Sequence, residues 1–110
     1  AENIRVWRWA GRRSRMAEMG AVLSPGSGKP VRVFVKQDNL WLHAGNAGTD
    51  VRWDDTDRSF VLVDEGRLYD VAKELNKDRL HEISLFPESP GAAVHGFEFS
   101  DHCDVSQEAK

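Results

Sequence analysis

The sequence predicts an all-β fold, an antiparallel β-sandwich of jelly-roll type with at most one or two short helical turns. Short segments in which apolar and polar residues alternate recur along the 110 residues, and this two-residue period is typical of half-buried strands. Turn-forming residues separate these segments at fairly regular intervals, as in sandwiches and jelly rolls. The length favours a single domain over residues 1–103, followed by a polar tail over residues 104–110.

The composition is that of an ordinary globular chain. Apolar residues make up 40% and charged residues 30% of the sequence, which are common values. No apolar run approaches the roughly 20 residues of a membrane helix, so no membrane partner is expected. No signal-peptide pattern follows the first residues, which favours the cytoplasm, with export after removal of a leader as the alternative. The single cysteine excludes an intrachain disulfide framework and a multi-cysteine zinc site.

The elements in the first half of the chain follow from the spacing of apolar residues. Residues 4–9 alternate apolar and charged side chains and predict a strand. Residues 16–23 fit either one helical turn or an irregular strand. Residues 24–30 are dense in glycine and proline and predict a loop. Residues 31–36 are the clearest strand, with the three valines on one face and the polar residues and Phe34 on the other.

The middle of the chain alternates short strands with polar turns. Residues 37–39 predict a turn, and residues 40–43 a strand with both leucines on one face. A glycine-rich loop over residues 44–50 precedes a short strand over residues 51–53. Residues 54–57 form an acidic turn, because aspartate side chains bond to their own backbone in turns.

The last elements are also predicted to be strands. Residues 59–63 are almost continuously apolar, which is typical of a strand covered on both faces. A strand over residues 67–71 is expected to lead into one helical turn, since apolar residues recur there at helical spacing. Residues 81–85 and 94–99 alternate and predict two further strands.

The motifs of the last third are Arg67-Leu68-Tyr69, His81-x-Ile83-x-Leu85, Pro90-Gly91 and Gly96-Phe97-x-Phe99. In this order they resemble the end of the carbohydrate-binding-like jelly-roll domain at the C-terminus of DipZ-type thioredoxin and cytochrome-biogenesis proteins. The resemblance implies a jelly roll and a sugar-binding role. The chain has no Cys-x-x-Cys, so no redox role is expected from it. Because such folds serve many purposes, the fold alone does not decide the function.

The aromatic residues are the best candidates for a ligand site. Sugars lay an apolar face on an aromatic ring, while polar neighbours bind their hydroxyl groups. The sequence predicts a site on two tryptophans and their polar neighbours, namely Trp41, His43, Asn46, Arg52, Trp53 and Tyr69. The alternative is that these tryptophans complete the core of a small sandwich.

The N-terminal segment is basic within an acidic chain. Residues 1–24 carry five arginines and two glutamates, a net charge of +3, whereas the whole chain has a net charge of −3. Arginine and tryptophan are enriched in interface hot spots, so this arm is expected to contact a protein partner or a second copy. The candidate interface residues are Trp7, Trp9, Arg12, Arg13 and Arg15. Nucleic acid is not an expected partner, because an acidic chain gains little from phosphate attraction.

The acidic loop offers oxygen ligands that calcium would accept, from Asp50, Asp54, Asp55 and Asp57. The alternative is that these aspartates only stabilise turns. Apart from calcium no cofactor is expected, and no nucleophile or acid/base pair stands in a recognisable catalytic context. Two functions follow: a non-catalytic carbohydrate-binding module, or a structural and interaction domain that assembles through the N-terminal arm.

Overall fold

The computed structural model describes residues 5–10, 18–26, 28–73 and 80–100. These residues form nine strands and no helix, and hence no helix that could cross a membrane. The strands are β1 Arg5–Ala10, β2 Glu18–Ser24, β3 Val31–Gln37, β4 Leu40–Trp41, β5 Val51–Trp53, β6 Ser59–Val63, β7 Arg67–Ala72, β8 Leu80–Pro87 and β9 Ala93–Ser100.

The strands form two packed antiparallel sheets. The large sheet has the order β1-β8-β3-β6-β5, with β4 paired to β3, and the small sheet has the order β7-β2-β9. The run β1-β8-β3-β6 and the pairing of β2 with β7 follow jelly-roll order. The strands β4 and β5 stay with the large sheet, and β9 flanks β2. The predicted antiparallel β-sandwich is therefore confirmed.

The core lies between the two sheets and is built by alternate residues of β2, β3, β6, β7 and β8. The predicted valine face of β3 is confirmed, and it packs opposite the buried residues of β2. Burying one such aliphatic side chain stabilises the fold by about 1.5–3 kcal/mol. These six residues are all exposed by 3% or less: Val31, Val33, Val35, Met19, Ala21 and Leu23.

The turn between β3 and β4 is a two-residue hairpin loop, as the sequence predicts for residues 37–39. Asp38 and Asn39 have φ angles of 54° and 71°, and Gln37 lies opposite Leu40. Positive φ at both central positions is the type I′ geometry that matches the twist of paired strands. Aspartate and asparagine tolerate this conformation better than other side chains do.

Two strand predictions are wrong in detail. Within the described part of the chain, residues 59–63 are not covered on both faces, since Leu62 on the outer side of the large sheet is 37% exposed. The strand predicted over residues 40–43 ends at Trp41. The two leucines, which the sequence predicts on one face, therefore differ in burial. Leu40 at the hairpin is 70% exposed, whereas Leu42 is buried in the core.

Three further predictions concern the ends of elements. The ambiguous residues 16–23 contain strand β2 from Glu18 onward. The strand predicted over residues 67–71 is confirmed and continues to Ala72. Most of the predicted helical turn falls in residues 74–79, which lie outside the described residues, as does the tail over residues 104–110.

A buried hydroxyl connects the hairpin region to the sheet. Ser59, the first residue of β6, is fully buried. Its hydroxyl donates a hydrogen bond to the carbonyl oxygen of Val35 at 2.6 Å and accepts one from the amide of Leu42 at 2.9 Å. The residue that follows β4 is thereby fixed to both β3 and β6.

Replacing Ser59 with alanine should destabilise the protein by about 1–3 kcal/mol, because two buried backbone groups would lose their partner. Urea unfolding monitored by tryptophan fluorescence measures the effect. Ser89→Ala is the matched control, since Ser89 is exposed. Equal unfolding free energies for the two variants would contradict the role of the Ser59 hydroxyl.

Candidate functional site

A shallow cavity of about 330 Å³ lies beside β5. It is lined by Leu42, His43, Ala44, Trp53 and Asp57. Two of the predicted ligand residues, His43 and Trp53, therefore meet at one place. Its size is near the lower end of the range for small-molecule sites.

The indole of Trp53 is held in a fixed orientation while part of its surface stays open. Trp53 is the last residue of β5 and is 39% exposed. Its Nε1–H donates a hydrogen bond to the carbonyl oxygen of Leu42 at 2.9 Å. Because the amide of Leu42 is itself bound by Ser59, the ring is anchored to the core through its polar edge.

The imidazole of His43 is positioned by its own loop. The backbone amide of Gly45 donates to His43 Nδ1 at 3.0 Å. In the neutral ring Nδ1 is therefore the acceptor, and Nε2 carries the proton as a donor. The Asn46 side chain accepts a hydrogen bond from the His43 amide at 2.8 Å. Asn46 thus holds the loop and does not line the cavity.

The acidic turn after Trp53 is built around Asp54. Its Oδ1 accepts hydrogen bonds at 2.9 Å from the backbone amides of Thr56 and Arg58, and its Oδ2 forms a 2.8 Å salt bridge with Arg58. Burial alone would raise the pKa of the Asp54 carboxyl. The hydrogen bonds from Arg58 and Thr56 outweigh that effect, so the pKa lies well below its usual value.

The predicted calcium site is not formed. Among the described residues, no three histidine, cysteine, aspartate or glutamate side chains are grouped to hold a metal ion. Asp50 is bound instead by Arg67 at 3.2 Å and by the amide of Asp70 at 2.7 Å. Burial alone would raise the pKa of Asp50, but these bonds hold it below its usual value. The candidate ligands Asp50, Asp54, Asp55 and Asp57 thus do not converge.

Two more predicted ligand residues lie on the outer face of the large sheet. Trp41 packs edge-on against Phe34, with ring centroids 6.2 Å apart, and the Lys36 ammonium lies 4.7 Å from the indole centroid. Arg52 pairs with Phe60 on the same face. Because successive strand residues point to opposite faces, Arg52 points away from the Trp53 indole.

The prediction that Tyr69 borders a ligand is wrong, because its side chain is fully buried in the core. Its hydroxyl donates to the carbonyl oxygen of Glu65 at 2.7 Å. It also accepts hydrogen bonds from the amides of Asp64 and Glu65 at 3.2 and 3.3 Å. The phenol therefore closes the turn between β6 and β7 from inside.

The predicted interface residues lie largely outside the described structure. Trp7 and Trp9 belong to β1, of which the structure describes only the backbone. Arg12, Arg13 and Arg15 fall in residues 11–17, which lie outside the described residues. The strand β1 stands at one end of the large sheet, next to β8.

Sequence reasoning missed the aromatic and cationic outer face of the large sheet. Phe34 and Phe60 lie in register across neighbouring strands. The guanidinium of Arg32 covers both rings at 5.4 and 5.6 Å, and that of Arg58 lies 4.7 Å from the Phe34 ring. The alternation of residues 31–36 was the sequence signal that could have revealed this face, because it places Arg32, Phe34 and Lys36 on the same side of the strand. The rings on this face are covered by cations, so their faces are not open for ligand stacking.

A second hollow lies on the outer face of the small sheet, with a volume of about 240 Å³. Gly20 leaves the space, because a Cβ atom there would lie 2.9 Å from Leu68 Cδ1. Two of its carboxylates are already engaged, Asp50 by Arg67 and Asp70 by the Thr49 hydroxyl at 2.9 Å. It contains no aromatic residue. The Trp53 cavity is therefore the better candidate site.

Comparison with known proteins finds no match, whether with family models, curated proteins or solved structures. The similarity to the DipZ-type domain therefore stays a prediction based on the motifs of residues 63–99. The functional proposals for this chain depend on the contacts, burial and charges of its described residues.

The turn built on Asp54 should weaken in acid. Because its folded pKa is depressed, the carboxylate stabilises the fold fully well above pH 3.8, its ordinary value. That contribution is lost as the pH falls below this value. At neutral pH the wild-type protein should be more stable to urea than Asp54→Asn, and the difference should shrink by about pH 2. Asp55→Asn is the matched control, and a difference independent of pH would contradict the prediction.

Proposed function

We propose that this chain is a non-catalytic module that binds carbohydrate in the Trp53 cavity. The observation that carries the proposal is an exposed indole whose orientation is fixed by a hydrogen bond to Leu42. A ring that is already ordered loses little conformational entropy when a ligand stacks on it. Sugar rings present C–H faces that suit such a platform.

The polar groups around the indole supply the second requirement, which is hydrogen bonding to hydroxyl groups. In its neutral form His43 offers a donor at Nε2, because Nδ1 accepts from the Gly45 amide. Asp57, on the other side of the turn, offers carboxylate oxygens as acceptors. A sugar hydroxyl both donates and accepts, so one donor and one acceptor beside an aromatic face match its chemistry.

The shape of the cavity supports a short oligosaccharide segment. A volume of about 330 Å³ accommodates a sugar ring or two. Its shallow form leaves the ends of a chain open to solvent. The predicted residues Trp41, Arg52 and Tyr69 have no part in this site, and Asn46 supports it only by holding the His43 loop.

Glycan-array screening followed by calorimetry tests the proposal. Trp53→Ala should lower the affinity for the best glycan by at least about tenfold, since stacking on an aromatic ring contributes 1 kcal/mol or more. Trp53→Phe should lose less affinity than Trp53→Ala, because phenylalanine keeps an aromatic face. It should still bind more weakly than the wild type, because phenylalanine cannot donate the hydrogen bond to Leu42. Circular dichroism and thermal unfolding establish that each variant is folded.

Trp41→Ala is the matched control, because Trp41 packs on the outer face against Phe34 and Lys36. It should keep the wild-type affinity. Glycan binding that survives Trp53→Ala, or that is lost equally in Trp41→Ala, would contradict a site on Trp53. An array on which no glycan binds would reject the carbohydrate function as a whole.

A second candidate function is assembly through strand β1. This strand stands at the end of the large sheet in the order of the described strands, and a sheet edge offers backbone groups to another strand. Its sequence Arg5-Val6-Trp7-Arg8-Trp9-Ala10 brings arginine and tryptophan to that edge. These are the residue types enriched in interface hot spots.

Size-exclusion chromatography with light scattering, run over a range of concentrations, tests this assembly. Assembly through β1 together with the basic segment that follows it in the sequence predicts a stable oligomer, whose mass falls when Arg12, Arg13 and Arg15 are replaced together by glutamate. A monomer mass at every concentration would rule out self-assembly through this edge. An oligomer that is indifferent to the charge reversal would place the interface elsewhere.

A further inference from the structure

We propose that the sugar bound in the Trp53 cavity carries a protonated amine, and that the Asp57 carboxylate is its counter-charge. The inference rests on the proposed carbohydrate function and adds the class of ligand. Amino sugars are favoured over neutral sugars, and acidic sugars are excluded. The argument starts from the charge state of the turn that borders the indole.

Asp57 reaches the cavity because of the backbone of the turn. It has a φ of 65°, and its amide donates to the carbonyl oxygen of Asp54 at 3.0 Å. Its side chain is exposed and lines the cavity together with Trp53. Within the described part of the chain, no hydrogen bond or salt bridge engages this carboxylate.

The two arginines closest to Asp57 in the sequence, Arg58 and Arg52, are engaged or directed elsewhere. Arg58, the next residue, is committed to Asp54 through its Nε at 2.8 Å and its Nη2 at 2.8 Å. The same guanidinium lies over Phe34 on the outer face of the large sheet. Arg52 also belongs to that face, by its register with Phe60. The cavity is therefore bordered by a carboxylate that neither of these arginines engages.

An ammonium group fits this arrangement in two ways. A charge-assisted hydrogen bond to a carboxylate is stronger than a neutral one. The negative face of an indole also attracts a cation within about 6 Å of its centroid. A neutral sugar obtains stacking and hydrogen bonds from its hydroxyl groups to Asp57, without the attraction between two full charges that an ammonium group adds. A sugar carboxylate or sulfate is repelled by Asp57. The combination of Trp53 and Asp57 thus selects for the amine.

The test compares two oligosaccharides of equal length, one of glucosamine and one of N-acetylglucosamine, by calorimetry. Acetylation removes the charge and keeps the ring. The wild-type protein should bind the glucosamine oligomer about tenfold more tightly at low salt. Added salt should reduce that preference because it screens the exposed charge pair.

Asp57→Asn removes the charge and keeps the turn, since asparagine also tolerates positive φ. It should lower the affinity for the glucosamine oligomer to that for the acetylated one and leave the latter nearly unchanged. Asp55→Asn, two residues earlier in the same turn, and Glu98→Gln, in the hollow on the small sheet, are controls that should keep the preference.

The outcomes separate this inference from the proposed function. Equal binding of the two oligosaccharides, lost in Trp53→Ala, would uphold the sugar site and overturn the amine. A preference that persists in Asp57→Asn, or that disappears in Glu98→Gln, would also overturn it, because the amine would then bind elsewhere. Binding of neither oligosaccharide, together with an array on which no glycan binds, would reject both.

Discussion

The buried hydroxyl of Ser59 is the constraint on which the described site depends. The chain leaves β4 after only two residues and enters the interior at Leu42, where every backbone amide needs a partner. Ser59 supplies it, and its proton goes to the carbonyl of Val35. One side chain of β6 therefore completes the hydrogen bonding of β3 and of the segment after β4.

The consequence extends to the Trp53 cavity. With its amide bound to Ser59, Leu42 presents its carbonyl oxygen in a fixed direction, and the indole of Trp53 binds there. The next residue, His43, is held by its own loop through Asn46 and Gly45. The cavity is thus assembled from two segments that are both tied to the core, which is the preorganisation that a binding site requires.

Alternation of apolar and polar residues predicted most of the strands, because a half-buried strand repeats every two residues. The pattern did not predict how a side chain is covered when the covering groups come from distant parts of the sequence or from a neighbouring turn. Residues 59–63 carry apolar side chains on the outer side as well, where the guanidinium of Arg32 lies over the Phe60 ring. Tyr69 is predicted as a polar neighbour of the tryptophans, whereas its hydroxyl donates a hydrogen bond inside the fold to the carbonyl oxygen of Glu65. Neither contact has a signature in local sequence.

The sequence indicates which residue types could form the candidate site, but not which of those residues lie together in the fold. Of the predicted ligand residues, His43 and Trp53 line one cavity, whereas the indole of Trp41 lies near Lys36 on the outer face of the large sheet. The sequence predicts Asp57 as a calcium ligand together with Asp54 and Asp55. In the structure, Asp54 and Asp57 of this turn have different roles. Asp54 collects the amide donors and Arg58, and so builds the turn. Because Asp54 alone holds the turn, Asp57 is left to line the cavity beside the indole, with no hydrogen bond or salt bridge to its carboxylate from the described residues.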